Sequence, residues 1–358
     1  PDEIADLAKD LGAAAVISDM CELRVPRQWR NDLKERLQVP FLCVDSDTIV
    51  PMALIPHEEY AARTIRPKIQ RLLPTFLQPI VDIDIAYPME KAPCDPGEVE
   101  QPLRYLESLT IDRSVPPSPD TRGGYEEGQK RVQRLLTERL RAYNEQRNNP
   151  EQVGTSELSA YAHFGHISVQ QLAWDVEQYR PEETGSKQID VSGGKAAYLE
   201  ELIVRRELAI NFAYYNPHYD DLAGCPDWGL KTLKKHASDP REWIYSRQEL
   251  EESRTHDELW NASQREMAST GRMHGYMRMY WGKKILEWTE TPQEAFDTTV
   301  YLNDKYELDG RDANGYASIC WCIGGRHDRP WRERPIFGLI RYMSADGMKR
   351  KINTQACI

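Results

Sequence analysis

The chain has 358 residues, enough for about two domains at the usual domain size. Hydrophobic residues make up 40% and charged residues 29%, which excludes a disordered or collagenous polymer; no apolar run approaches the about 18 residues of a membrane span. A net charge of −11 excludes an all-over basic nucleic-acid coat but leaves room for a local basic patch. Cysteines stand at 21, 43, 94, 225, 320, 322 and 357. An odd count without a CxxC pair suggests neither a disulfide framework nor a metal site, and points to a reducing, intracellular compartment (cytoplasm, nucleoid or nucleus). Nine Trp and 18 Tyr against six Phe is an unusual balance, suited to stacking on bases or flat cofactors, although a core uses such residues too.

In chain order, Ala13–Ser18 and Pro40–Val44 read as short strands flanking an amphipathic helix at Arg27–Leu37, a parallel α/β unit. Two strands make a poor sheet, so further strands are expected ahead of Pro1. The stretch Asp82–Asp120 is rich in proline and acidic groups and reads as a linker. Long helical patterns follow at Gly124–Arg147, Gly193–Tyr215, Thr255–Thr270, Gly271–Thr289 and Thr291–Tyr306, with no internal repeat. The expected division is a partial α/β domain at 1–90, a linker at 91–120 and a helical domain at 121–358.

Four segments carry candidate chemistry. In GTSELSAYAHFGHIS, Thr155, Ser156 and Ser159 gather where a helix begins, which suits a phosphate site or a plain N-cap. In AAYLEELIVRRELAINFAYY, Arg206 shares an apolar stripe with Leu199, Ile203, Ile210 and Ala213, a costly place for a charge unless it is paired or holds an anion. Glu201 and Arg205, four apart, are expected to face each other. In the third segment, Trp281 and Trp288 lie one face apart by about 10 Å, with Met273, Met277 and Tyr280 beside them and Trp260 on the preceding helix. Such a stripe packs a core, or carries an electron between a buried cofactor and the surface.

The last segment runs from Tyr301 to Lys351. Asn303, Asp309, Asp312 and Asn314 bracket a glycine-rich turn, where they cap backbone or read the edge of a heterocycle. From Arg326 to Lys351 there are eight Lys or Arg against three Asp or Glu, a reversal of the overall charge that suits phosphates. Trp331 amid arginines suits a wedge.

Together, GTSELSAYAHFGHIS, EELIVRRELAINF, THDELWNASQ, TGRMHGYMRMYWGKKILEW, YLNDKYELDGRDANGY and WCIGGRHDRPWRERPIFGLIRYMS resemble the photolyase/cryptochrome superfamily, in particular class II cyclobutane pyrimidine dimer photolyases. The resemblance spans nearly all of 121–351, and ISDM and VDSDTIVP match the end of the family's α/β antenna domain. It implies a Rossmann-like, parallel-sheet N-terminal domain, truncated here, before a large all-α FAD-binding domain. It implies a lyase: excited, reduced FAD lends an electron to a pyrimidine dimer flipped out of UV-damaged double-stranded DNA.

By the same resemblance, Tyr143, Thr155, Ser156, Glu157, Leu158, Ser159 and Arg206 hold FAD. Asn303, Asp309, Asp312 and Asn314 lie near its ring, with Asn303 or Asn314 facing the reactive nitrogen. Trp281, Trp260 and then Trp288, towards solvent, relay electrons. Glu201 contacts the damaged bases and Met279 and Trp321 line the lesion pocket. Arg329, Trp331 and Arg341 enter the gap in the duplex, and Arg205 stands where other classes carry a tryptophan against the lesion. A monomer is expected, with no membrane contact and no metal; a deazaflavin or folate antenna pigment is possible. The short stretch after the last motif favours repair over the alternative, a cryptochrome-like flavin photoreceptor. A pyrimidine–pyrimidone repair enzyme and a flavin-free helical binding module are further rivals.

Overall fold

A computed structural model describes residues 1–81, 83–84, 102–181 and 189–354. The chain divides into two compact units, one built from 1–46 with 79–117 and the other from 47–78 with 118–358. Residues 47–78, expected with the α/β part, thus cluster with the helical unit. Most of the expected linker's first half, 91–101, lies outside the described residues.

The first unit contains the expected strand–helix–strand. Strands Val16–Asp19 and Phe41–Val44 pair in parallel, with Val16 opposite Phe41, and helix Arg24–Arg36 crosses between them. The first strand starts later than its apolar run because Gly12, at φ 60°, turns the chain out of helix Asp2–Asp10, and the N–H of Ala13 still bonds back to Ala8.

The second unit is helical, and its sequence sets most boundaries through caps. Asp257 accepts from Trp260 N at 2.9 Å and starts helix Glu258–Thr270, leaving Thr255 and His256 outside it. Gly271, left-handed at φ 75°, ends that helix. His274 caps Gly275–Trp288, Thr291 caps Pro292–Tyr306, and Asp312 caps Ala313–Gly324.

Two long helical patterns are less regular than their periodicity predicts. Gly124–Arg147 is helical at Tyr125–Arg134, widens to a π-turn at Leu135–Arg139, tightens to 3₁₀ at Leu140–Ala142 and closes with Tyr143–Gln146. Gly193–Tyr215 contains a π-turn at Glu200–Arg205 between helices Ser192–Leu199 and Arg206–Tyr215. A π-turn lodges an extra residue in one turn, so side chains five apart meet. Glu200 therefore bonds Arg205 at 3.0 Å, and Glu201 turns to Arg147 at 2.7 Å; the expected Glu201–Arg205 pair does not form.

Helix Arg206–Tyr215 is the axis of the unit. Glu207 and Asn211, one turn apart and buried, accept backbone N–H groups of Ile49, Val50 and Glu59 at 2.7–3.2 Å, while Tyr215 donates to Ile55 O. One polar stripe thus clamps an irregular segment whose backbone groups would otherwise be buried without partners. Arg206 binds both the carbonyl and the carboxylate of Asp47, which removes the cost of its place on an apolar stripe. Elsewhere in the unit, Gly194 packs its bare Cα against Leu140 O, where a Cβ would come within 1.6 Å. That approach brings Tyr198 edge-on to Tyr143 at 5.1 Å within a core of Leu135, Leu140, Tyr161 and Leu172. Among the described residues, no helix is long and apolar enough to cross a membrane.

Candidate active site

The helices of the second unit enclose a cavity of about 830 Å³, within the range of small-molecule sites. Sixteen of the residues selected from sequence line it. Tyr143 and Thr155 through Ser159 form one wall. Glu201, Arg205 and Arg206 reach it from the π-turn, and Met279, Trp281 and Trp321 from two other helices. Asn303, Asp309, Asp312 and Asn314 close it. Trp260, Trp288, Arg329, Trp331 and Arg341 stand outside the lining.

The wall at 155–159 is held by charge. Helix Ser159–His163 has no side-chain cap at its start, and just ahead of it Ser156 Oγ accepts from Leu158 N at 3.4 Å. Glu157 adopts φ 58° and points its carboxylate at Arg131, Arg139 and Arg272, at 3.1, 2.9 and 2.5 Å. Arg139 also donates to Thr155 O at 2.6 Å. Burial would raise the Glu157 pKa, but Arg272 and Arg139 outweigh it and hold the carboxyl below its ordinary value.

The opposite end is also ordered by ion pairs. Asp312 accepts from Asn314 N at 2.8 Å and faces His163 Nδ1 at 3.4 Å; against its burial, His163 and Arg206 keep it ionised below the usual range. The Asn303 amide donates to Asp304 at 2.9 Å, and Gly315 leaves it room, since a Cβ there would sit 3.2 Å from Asn303 Nδ2. Arg278, which sequence reasoning missed, binds Glu307 at 2.7 Å and Asp309 at 2.9 Å. Burial pushes Glu307 up to about 8. The signal was present: an arginine among Met, Tyr and Trp on helix Gly275–Trp288 poses the same question as Arg206. His163 and Arg272 also line the cavity and were missed, and so do His274 and His327, which sequence reasoning weighed only for the rival pyrimidine–pyrimidone repair enzyme. His327 Nε2 is buried there without a hydrogen-bond partner, and burial drives its pKa down to about 3, so it faces the cavity as a neutral imidazole.

A file of indoles leaves the cavity wall. Trp281 stacks on Trp260 with centroids 6.4 Å apart and planes at 9°, and Trp260 meets Trp288 edge-on at 5.7 Å. Trp288 was expected towards solvent, but it is 2% exposed. Tyr245 and His256 pack against it, 5.6 and 5.1 Å away.

A separate surface carries the basic loop. Trp331 is 40% exposed, with the guanidinium groups of Arg341 and Arg329 4.2 and 5.6 Å from its ring. Asp328 holds Arg341 at 3.0 Å. The loop is clamped to helix Asp227–Lys235: His236 bridges Asp239 and Glu333 at 2.6 and 3.0 Å, Asp239 accepts from Ile336 N, and Thr232 accepts from Leu339 N. Glu333 and Asp239 raise the His236 pKa. Trp321 joins surface and cavity. The ammonium of buried Lys283 lies 4.3 Å from its ring and the guanidinium of Arg341 5.6 Å from it.

Known proteins share this architecture. A Synechocystis cryptochrome superposes with a TM-score of 0.68 at 15% identity, over 99% of this chain and 69% of that one. A class III photolyase from Agrobacterium tumefaciens superposes at 0.61 and 15%, over 95% and 67%. The fold is that of photolyases and cryptochromes. No family model matches the chain. The rice deoxyribodipyrimidine photo-lyase is 42% identical over all of this chain and 71% of its own length. Those of Methanothermobacter thermautotrophicus and Arabidopsis thaliana are each 43% identical, over 95% and 99% of this chain and 72% of their own lengths. The chain belongs to the deoxyribodipyrimidine photo-lyase family.

Proposed function

We propose that this chain carries out light-driven DNA repair as a class II enzyme, splitting cyclobutane pyrimidine dimers flipped into the 830 Å³ cavity beside a reduced FAD. One observation carries the reading: a single cavity gathers hydroxyls, buried ion pairs and an amide at one side, a carboxylate, a methionine and a tryptophan at another, and the head of an indole file.

The donor set fits a dinucleotide. The hydroxyls of Thr155, Ser156 and Ser159, with Arg206 and Tyr143, match phosphates and a polyol chain. The Asn303 amide and the Arg278–Asp309 pair match the polar edge of a heterocycle, and the unpartnered His327 nitrogen supplies a further polar contact, donor or acceptor according to its tautomer. Both asparagines line the cavity: the Asn303 side-chain amide donates to Asp304, while Asn314 is held in the Asp312 cap through its backbone N–H, which leaves its side-chain amide for the reactive edge. FAD, when bound, supplies light absorption and a one-electron exchange with the dimer that leaves no net redox change.

The protein's own part is to bind, orient and exclude water. Photolyases as a group extrude the base they act on. Arg329 and Arg341 would hold the backbone while Trp331 fills the vacated stack. Trp321, with the Lys283 ammonium and the Arg341 guanidinium near its ring, would offer a flat face to the dimer, and Met279 an apolar one. Glu201 lines the same cavity, paired with Arg147, and would contact the bases through its carboxylate. Trp281, Trp260 and Trp288 would form the file that carries electrons to the flavin when it is bound in the oxidised form.

The test is to illuminate the reduced, FAD-loaded protein with a dimer-containing oligonucleotide and measure restored thymines. A product with intact dimers, from a protein that binds flavin and damaged DNA, would refute repair and favour a photoreceptor.

A further inference from the structure

Two indoles line the cavity from different helices, Trp281 and Trp321, and their electrostatic surroundings are opposite. Trp281 donates its Nε1–H to the Gln264 amide oxygen at 2.9 Å and stacks on Trp260 with planes at 9°. Both contacts favour an electron vacancy on Trp281: the oxygen sets negative partial charge beside the ring, and the parallel neighbour can take the vacancy on. Further along the file Lys284 lies 5.5 Å from Trp288, but Glu287 pairs with it at 2.6 Å. Trp321 has cations beside it instead. The Lys283 ammonium lies 4.3 Å from its ring centroid and the Arg341 guanidinium 5.6 Å.

Of these two cations Lys283 acts more strongly on the ring. Arg341 is paired with the Asp328 carboxylate at 3.0 Å, which offsets its field. Lys283 is fully buried on helix Gly275–Trp288 and donates to two neutral carbonyls, Trp321 O at 3.1 Å and Cys322 O at 2.7 Å. A charge held this close to an indole, away from water, is little screened. The titratable groups facing it are Cys322, Cys225, Asp328 and Arg341. Burial raises the Cys322 thiol to about 11, so it stays neutral at the pH of interest, and Asp328 and Arg341 offset each other. Burial lowers Lys283 itself to about 8, so the ammonium is charged at neutral pH and discharges just above it.

We infer that Lys283 insulates Trp321: its ammonium makes this lesion-pocket indole too hard to oxidise to compete with Trp281 as electron donor to an oxidised flavin in the same cavity. This rests on the reading of the cavity as a flavin site and of the three tryptophans as a relay. One electron given by Trp281 leaves a vacancy that Trp260 and then Trp288 refill in turn, so the charges separate. One electron given by Trp321 leaves a vacancy beside Lys283 with no stacked indole to carry it off. The same electron then returns, and no net reaction follows. Lys283 acts through the Trp321 ring and is a positioning residue for charge. It lets a tryptophan serve as a flat contact for the dimer without draining the file.

The test is a light flash on the FAD-loaded chain with oxidised flavin, read by transient absorption as the yield of tryptophan radical that outlives the first recombination. At neutral pH, Lys283→Met should lose this yield severalfold. Adding Trp321→Phe to Lys283→Met should restore it, which a variant damaged only in its packing would not do. The wild type should lose the same yield as pH rises through about 8, while Lys283→Met stays flat over that range. Flavin content shows that each variant is folded. If Lys283→Met keeps the wild-type yield, or loses a yield that Trp321→Phe does not restore, the inference is overturned with the relay intact. If Lys283→Met does not fold, a wild-type yield that stays level as pH rises through about 8 overturns it. If Trp281→Phe still forms the long-lived radical, the relay reading fails and takes the insulation with it.

Discussion

Replacing Glu157 by Gln asks whether charge holds the cavity wall. The carboxylate meets Arg131, Arg139 and Arg272 at 3.1, 2.9 and 2.5 Å, with 13% of its side chain exposed. A hydrogen bond to an ionised partner contributes about 1.5–3 kcal/mol, against about 0.5–1.5 kcal/mol between neutral groups. Neutralising Glu157 therefore removes about 1 kcal/mol per contact, least for Arg272, which is the most exposed of the three arginines and the most screened. The expected loss is about 2–3 kcal/mol, or a melting point lower by about 4–12 °C for a domain of this size. Gln at φ 58° carries the same backbone strain as Glu, so the difference reports charge. Because the arginines hold the folded carboxyl below its ordinary pKa, its stabilisation is complete above the unfolded value and is lost as pH falls through the folded one. Melts of both proteins by circular dichroism, from neutral pH down to about pH 3, should show the gap closing in acid. Equal melting at neutral pH, or a gap unchanged in acid, would refute the reasoning.

Four further outcomes are expected. Trp281→Phe should slow photoreduction of oxidised FAD yet leave repair by pre-reduced enzyme largely intact; equal loss of both defeats the relay assignment. Glu201→Ala should lower the repair yield per absorbed photon with FAD content unchanged, and full activity would remove Glu201 from the lesion site. Trp331→Ala should weaken binding to a damaged duplex but barely change binding to a damaged single strand, as filling a vacated stack matters only in the duplex; matching losses count against the wedge. Lys283 caps Trp321 O and Cys322 O from a fully buried position, and burial lowers its pKa to about 8. Between that value and about 10.5 the unfolded chain holds the proton more tightly, so wild-type stability should rise with pH relative to Lys283→Met, by up to roughly 3 kcal/mol. Parallel urea titrations of the two proteins across that window that show no divergence would contradict the buried cation.

Local rules made much of the second unit legible. The caps at Asp257, Thr291 and Asp312 act within four residues, and the six motifs marked the segments that line the cavity. Arg206 was identifiable as anomalous because a charge on an apolar stripe needs a partner. Its partner was not, since Asp47 lies 159 positions earlier and no periodicity relates them. The Glu201–Arg205 expectation failed for a similar reason: a π-turn is set by packing around it, and one lodged residue re-aims every side chain in that turn.

Residue type and spacing alone thus determined where most helices of the second unit run and which charge on an apolar stripe needs a partner. Tertiary structure alone decided which charges meet, that Trp288 is covered by Tyr245 and His256, and that residues 47–78 pack with the helical body. The physical reason is range. Caps, turns and helical stripes depend on neighbours a few residues away, whereas ion pairing and burial depend on chain segments that only folding brings together.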